Sequence, residues 1–118
     1  MEKFSINLPL TGEYLTTVRL TTGGLCALAG FDVEATEDFK VCVTETLLIL
    51  KRNGFLRAAI EFTVGKTLSC VVCGEDGNGE REESIEDEIS HALLSALLGT
   101  VEIGKDQTGR VEKIAFEG

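Results

Sequence analysis

The chain has 118 residues, the length of one domain, since a single hydrophobic core typically serves roughly 100–150 residues. Hydrophobic residues make up 43% of it and charged residues 26%, enough apolar material to fill a core, which excludes a compositionally disordered chain. Twenty acidic residues against 11 basic ones leave a net charge of −9, the wrong sign for holding a phosphate backbone, and no apolar run reaches the ~20 residues of a membrane-spanning helix, so neither nucleic acid nor a bilayer is an expected partner.

Met1-Glu2-Lys3-Phe4 is not followed by a signal-peptide core, and the expected compartment is the cytoplasm. Phe4, Ile6, Leu8 and Leu10 then alternate with Ser5, Asn7 and Pro9, predicting a half-buried strand that Pro9 confines to an edge or a strand end. Thr11 stands where it can cap a helix running to about Ala29; Glu13 suits the dipole in its first turn, and Gly23-Gly24 weakens its middle. Gly30 is a stop, and Asp32 is the N-cap of a second helix. There Phe39, Val43, Leu47 and Leu50 fall at i, i+4, i+8 and i+11, until Asn53-Gly54 ends the helix. Val41, Cys42, Leu48 and Ile49 make it apolar nearly all round, as expected of a central helix.

From Leu56 the even positions Ala58, Ile60, Phe62 and Val64 alternate with Arg57, Glu61 and Thr63, a strand with one face to the core. Gly65-Lys66 reads as a two-residue hairpin turn into a partner strand carrying Leu68, Cys70 and Val72. A third helix from about Ser84 carries Ile85, Ile89, Leu93 and Leu97 at i+4 spacing. Val101 and Ile103 open a last hairpin, Lys105 to Gly109 turn it, and Val111, Ile114 and Phe116 return it to the core. The order β-α-α-β-β-α-β-β predicts a single domain over residues 1–118, a two-layer α/β sandwich with three helices on one face of a mixed sheet.

Cys26, Cys42, Cys70 and Cys73 lie in apolar stretches, which suits reduced, buried thiols. Cys70 and Cys73 have CxxC spacing, but strand positions three apart point to opposite faces, so neither zinc nor redox chemistry is expected of them. His91 reads as a helix-surface residue, with no nucleophile or metal set converging on it in sequence. Glu75 to Glu88 holds seven of the nine excess negative charges. Asp76-Gly77-Asn78-Gly79-Glu80 imitates the opening of a calcium loop, yet Arg81 replaces the glycine needed at the sixth position and Asp87 the glutamate at the twelfth. An acidic or calcium-responsive binding module is therefore one reading of the chain, and a basic protein partner fits the same charges.

Asp38-Phe39-Lys40-Val41-Cys42-Val43-Thr44-Glu45 resembles the helix signature D-x-K-x-A-V-S-E-A-x-x-N of the GHKL (HSP90-histidine kinase-like) ATPases, specifically the bacterial anti-sigma factors that are also serine-protein kinases. The likeness runs along most of the chain, through a leading strand, a helix with Arg19, the signature helix, a hairpin, a glycine box and a terminal hairpin. It implies a GHKL ATPase-like fold and a homodimer. Glu45 falls where the family's glutamate orients the group attacking the γ-phosphate, and Arg19 where the family reaches the bound sigma factor. Glu75 takes the aspartate position of the adenine-binding box D-x-G-x-G, with Gly77 and Gly79 as its glycines.

The chain departs further from the family at its metal and phosphate positions, and the segment between the two glycine boxes is too short for a normal nucleotide lid. Ile49 occupies the position of the asparagine that binds Mg²⁺, and a hydrocarbon offers no oxygen to a cation that demands near-octahedral oxygen ligands. The second glycine box, a G-x-G opening the last helix, falls at Glu88-Ile89-Ser90, with both glycines gone and a carboxylate beside the expected phosphate cradle. The resemblance with these losses implies an anti-sigma-factor-like regulator that binds a protein, either a sigma factor or an anti-sigma antagonist, with a degenerate ATP site and no cofactor. The alternative is a working serine-protein kinase that uses Mg-ATP and Glu45 as base, and the acidic module is the third reading.

Overall fold

The computed structural model describes residues 2–77, 85–98 and 101–118. They form strand β1 (Glu2–Pro9), helices α1 (Gly12–Leu28) and α2 (Val33–Arg52), strands β2 (Arg57–Val64) and β3 (Leu68–Glu75), helix α3 (Ile85–Leu98), and strands β4 (Val101–Lys105) and β5 (Val111–Glu117), the order expected from the sequence. No helix among the described residues is long and apolar enough to cross a membrane.

The five strands lie in the order β1-β2-β3-β5-β4, and every neighbouring pair is antiparallel. The expected mixed sheet is thus corrected to an antiparallel one. Each element reverses the direction of the one before it, and neighbours in the sheet are always an odd number of elements apart in the chain. Two helices between β1 and β2 therefore return the chain antiparallel, where one crossover helix would have made a parallel pair.

Even-numbered residues of β1, β2 and β3 face the helices. Leu8, Ala58, Ile60, Phe62, Cys70 and Val72 are buried there and meet Ile114 and Phe116 of β5. The central helix α2 covers this face with Phe39, Cys42, Val43, Leu47, Ile49 and Leu50, packing against α1 on one side and α3 on the other. Its start is held as expected, with the Asp32 carboxylate accepting from the Ala35 amide at 2.8 Å. Thr11 sits at the N-cap of α1 in an extended conformation, but its hydroxyl turns to the Glu13 carboxylate at 3.4 Å rather than to a backbone amide.

Helix α1 runs unbroken through Gly23-Gly24 because tertiary packing uses the space: a Cβ on Gly23 would stand 2.9 Å from Cε of Lys40 on α2. The β2–β3 connection is a three-residue loop, not two. Val64 pairs with Leu68, and the Gly65 amide bonds the Thr67 carbonyl at 3.0 Å across residues 65–67. In the β4–β5 turn the Asp106 carboxylate accepts from the Thr108 hydroxyl at 2.6 Å and the Arg110 amide at 3.0 Å, with Gly109 at a φ of +86°. The Thr108 hydroxyl first, then the backbone amides, hold the Asp106 carboxyl below its usual range.

The rotation of α3 departs most from its apolar pattern. The buried ridge is Ser90 and Leu94 with half-buried Leu98, while Ile89 is 60% exposed and Leu97 36%. At about 100° per residue these two ridges are neighbours on the helix, and the one containing a serine is turned inward.

Candidate functional site

Glu45 and Arg52 are two turns apart on α2 and project from the same face toward α3. Between them stands Ser90. Its hydroxyl donates to Oε2 of Glu45 at 2.6 Å and accepts from Nη2 of Arg52, also at 2.6 Å, and Arg52 reaches the Glu86 carbonyl at 3.5 Å. Ser90 is buried while Glu45 and Arg52 are half-buried. A short, charge-assisted relay thus clamps α3 to α2 through the carboxylate of the signature motif. A general base must instead present its oxygen to the proton it removes.

One turn beyond Glu45, Ile49 is fully buried in the core. The nearest asparagine along the helix is Asn53, itself buried, and its amide is committed at both ends. Nδ2 donates to the Ile49 carbonyl at 2.8 Å, and Oδ1 accepts from the Val111 amide at 3.0 Å, tying the end of α2 to β5. Neither residue presents a side-chain oxygen for a cation, so this segment does not fit the family's Mg²⁺ anchor.

Helix α3 is described from Ile85 on, so Glu88-Ile89-Ser90, which the resemblance placed at the helix opening as the second glycine box, lies at least three residues into the helix. There the Ile89 and Ser90 amides are four or more residues into the helix and bond the preceding turn; only the first four amides of a helix are free for an anion.

Glu75 ends β3 on the other face of the sheet. Neighbouring Gly74 faces the core, where a Cβ would collide with the Phe55 ring at 2.5 Å, so strand alternation turns Glu75 outward. It accepts from Nδ2 of Asn7 on β1 at 2.7 Å, and Oδ1 of Asn7 accepts from Nη2 of Arg57 on β2 at 2.9 Å. This cross-strand network is joined to the sheet, not to the α2–α3 relay. The Gly77 carbonyl accepts from Nη1 of Arg110 at 2.8 Å, and Phe55 lies 3.1 Å from where a Cβ would stand. Gly79 lies outside the described residues, as do Asn78 and Glu80 of the calcium-like stretch. Arg19 is exposed on α1, and His91 is half-buried on α3.

The structure therefore joins Glu45 to Ser90 and Arg52 and joins Glu75 to Asn7 and Arg57, but it does not bring the two glutamates to one face. Sequence reasoning passed over Ser90, Arg52 and Asn53 as partners. The one available signal was that Glu45 and Arg52 lie seven residues apart on a helix.

All four cysteines are free thiols; Cys26, Cys42 and Cys70 are buried, and Cys73 is half-buried on the sheet face opposite Cys70. Burial, with the Asp38 and Glu45 carboxylates adding to it, pushes the Cys42 thiol up to about 12. Burial alone raises Cys70, and burial outweighs the Lys40 charge in raising Cys26. Among the described residues no group of three His, Cys, Asp or Glu side chains converges to hold a metal ion.

No family model matches the chain. Over 54 residues it is 35% identical to the serine-protein kinase RsbW of Listeria monocytogenes strain EGD-e, and to the protein of the same name from Listeria innocua. The matched stretch covers 46% of this chain and 34% of each Listeria protein, so it spans about a third of the relatives' length. About half of this chain is thus similar to part of a bacterial serine-protein kinase.

Proposed function

We propose that this chain is an anti-sigma-factor-like regulator that acts by binding another protein and whose ATP site is degenerate. The observation that carries the reading is the Glu45–Ser90–Arg52 relay beside a fully buried Ile49. Phosphoryl transfer depends on a metal bridging the phosphates and on a group free to orient the nucleophile. Here the carboxylate is engaged by α3, and the metal-ligand position is part of the core. The partial identity to a serine-protein kinase supports descent from such a scaffold. The partner in this reading is a sigma factor or an anti-sigma antagonist contacted through Arg19, and the working unit is a cytoplasmic homodimer.

The test is calorimetry and thermal shift with ATP, with and without Mg²⁺. A site occupied a hundredfold over its Kd would add about 2.7 kcal/mol of stability. For 118 residues that is a rise in Tm on the order of 10 °C. The expected result is no binding heat and no shift. Micromolar Mg-ATP binding, or transfer of radiolabelled phosphate to a partner serine, overturns the reading in favour of an active kinase. A shift with Ca²⁺ but none with ATP favours the acidic module.

A further inference from the structure

Helix α3 turns apolar surface outward along its length. Ile89 is 60% exposed, Leu97 36%, and Leu93 between them is half-buried. Successive residues of this i+4 series drift about 40° around the helix, so the band slants as it climbs. Exposed Ala92 and Ala96 lie beside it and leave it open. At its upper end Leu97 joins a cleft of about 220 Å³ between the end of α3 and the start of α2, whose other walls include Phe31, Phe39, Leu98 and Asp38. At its lower end Glu86 and Glu88 are exposed.

The exposed charges described on this band are acidic, and Arg52 of α2, beside its lower end, turns inward to Ser90 and the Glu86 carbonyl. The last turn of α3 carries no basic residue. Lys40, on the early part of α2, is paired with Glu37 at 3.3 Å. From Glu86 to Leu97 the band rises eleven residues, about 16 Å, or three helical turns. A second copy of this chain is a poor occupant. Set antiparallel, its Glu86 and Glu88 would face Asp38; set parallel, they would face their own equivalents.

We propose that the outward face of α3 is a docking surface for a basic amphipathic helix of a partner protein. Its apolar stripe would lie on Ile89, Leu93 and Leu97, one bulky apolar side chain would fill the Leu97 cleft, and lysines or arginines at its two ends would meet Glu86, Glu88 and Asp38. Helix-in-groove recognition uses anchors at this spacing. Acidic groups at the rim set orientation and on-rate. The inference rests on the reading of the chain as a binding protein and adds a surface and a partner chemistry to it.

The probe is a fluorescein-labelled 14-residue peptide of leucines and lysines arranged as an amphipathic helix, followed by fluorescence polarisation against the full chain. Controls are the same peptide with glutamate for lysine and a scramble that breaks the apolar stripe. The expected result is binding of the basic amphipathic peptide alone, weakened at least tenfold by I89E/L97E. E86Q/E88Q should weaken it about threefold and reduce its salt dependence. Both pairs are exposed, and an unchanged melting curve confirms that the variants fold. Equal binding by I89E/L97E, equal binding of the glutamate peptide, or a wild-type dimer that I89E/L97E dissociates in sedimentation overturns the proposal. The nucleotide reading fails separately, on Mg-ATP binding, which none of these results touches.

Discussion

Replacing Ser90 by alanine tests the reading of Glu45 as a structural tie. The substitution removes two hydrogen bonds of 2.6 Å, each to a charged partner, from a buried position. Hydrogen bonds to charged groups contribute roughly 1.5–3 kcal/mol each. Glu45 and Arg52 are half-buried, so water can recover part of that when the hydroxyl is lost. The expected destabilisation is about 2–3 kcal/mol in all. With an unfolding entropy of roughly 2.1 cal/mol/K per residue, this corresponds to a fall in Tm of about 8–12 °C. A double-mutant cycle with Glu45→Ala, read by urea denaturation, isolates the pair and should give a coupling of about 1–2 kcal/mol. A coupling indistinguishable from zero would refute the reasoning, because Glu45 would then be free to act on something other than α3.

Asn53→Ala leaves the buried Val111 amide without its acceptor and should cost about 2–4 kcal/mol in urea unfolding, more than any exposed polar substitution on α2. Gly74→Ala drives a methyl into the Phe55 ring, with approaches of 2.5–2.8 Å, and should destabilise by about 1–3 kcal/mol, which chemical denaturation will read directly. The Cys42 thiol, raised from 9.0 to about 12, releases its proton first in the unfolded chain, so stability is lost as pH rises between those values. The slope should approach about 1.4 kcal/mol per pH unit for each such thiol, and Cys42→Ala should flatten it. With a thiol reagent at pH 8, the half-buried Cys73 should react well before the other three, which need unfolding.

The central helix was legible because two independent signals coincide there: Asp32 and Asn53-Gly54 bound it, and apolar residues surround it between those ends. The alternating strands were legible for the same reason, and Glu75's outward face followed from the parity that placed Ala58 and Ile60 inside. Matching it to a motif by linear order ignored that parity. The hairpin turns made β2–β3 and β4–β5 antiparallel from the sequence, but the direction of the β1–β2 and β3–β5 pairs was not legible from strand patterns, since period-two alternation is the same in parallel and antiparallel strands exposed on one face. The rotation of α3 was hidden because its sequence carries two ridges, Ile89-Leu93-Leu97 and Ser90-Leu94-Leu98, and periodicity favours the first. What selects the second is a carboxylate and a guanidinium on another helix, 38 to 45 residues away in sequence.

The rotation of α3 connects the Glu45–Ser90–Arg52 relay to the proposed binding face. Turning the helix by one ridge would bury Ile89 and Leu97 but expose Leu94 and Leu98, so apolar contributions of roughly 1.5–3 kcal/mol per fully buried side chain largely cancel, and it would break the Ser90 relay. Hydrophobic burial alone therefore does not fix the helix; the polar relay tips the balance. While Ser90 holds Glu45 and Arg52, the apolar ridge remains outward. The contact that engages Glu45 is thus the same contact that turns Ile89 and Leu97 outward. If that coupling is right, Ser90→Ala, which removes the relay without adding a leucine's burial to the inner ridge, should free α3 to rotate. It should then weaken the basic peptide, although it changes no residue on the binding face. Undiminished peptide binding by Ser90→Ala would separate the two roles and leave the orientation of α3 to packing alone.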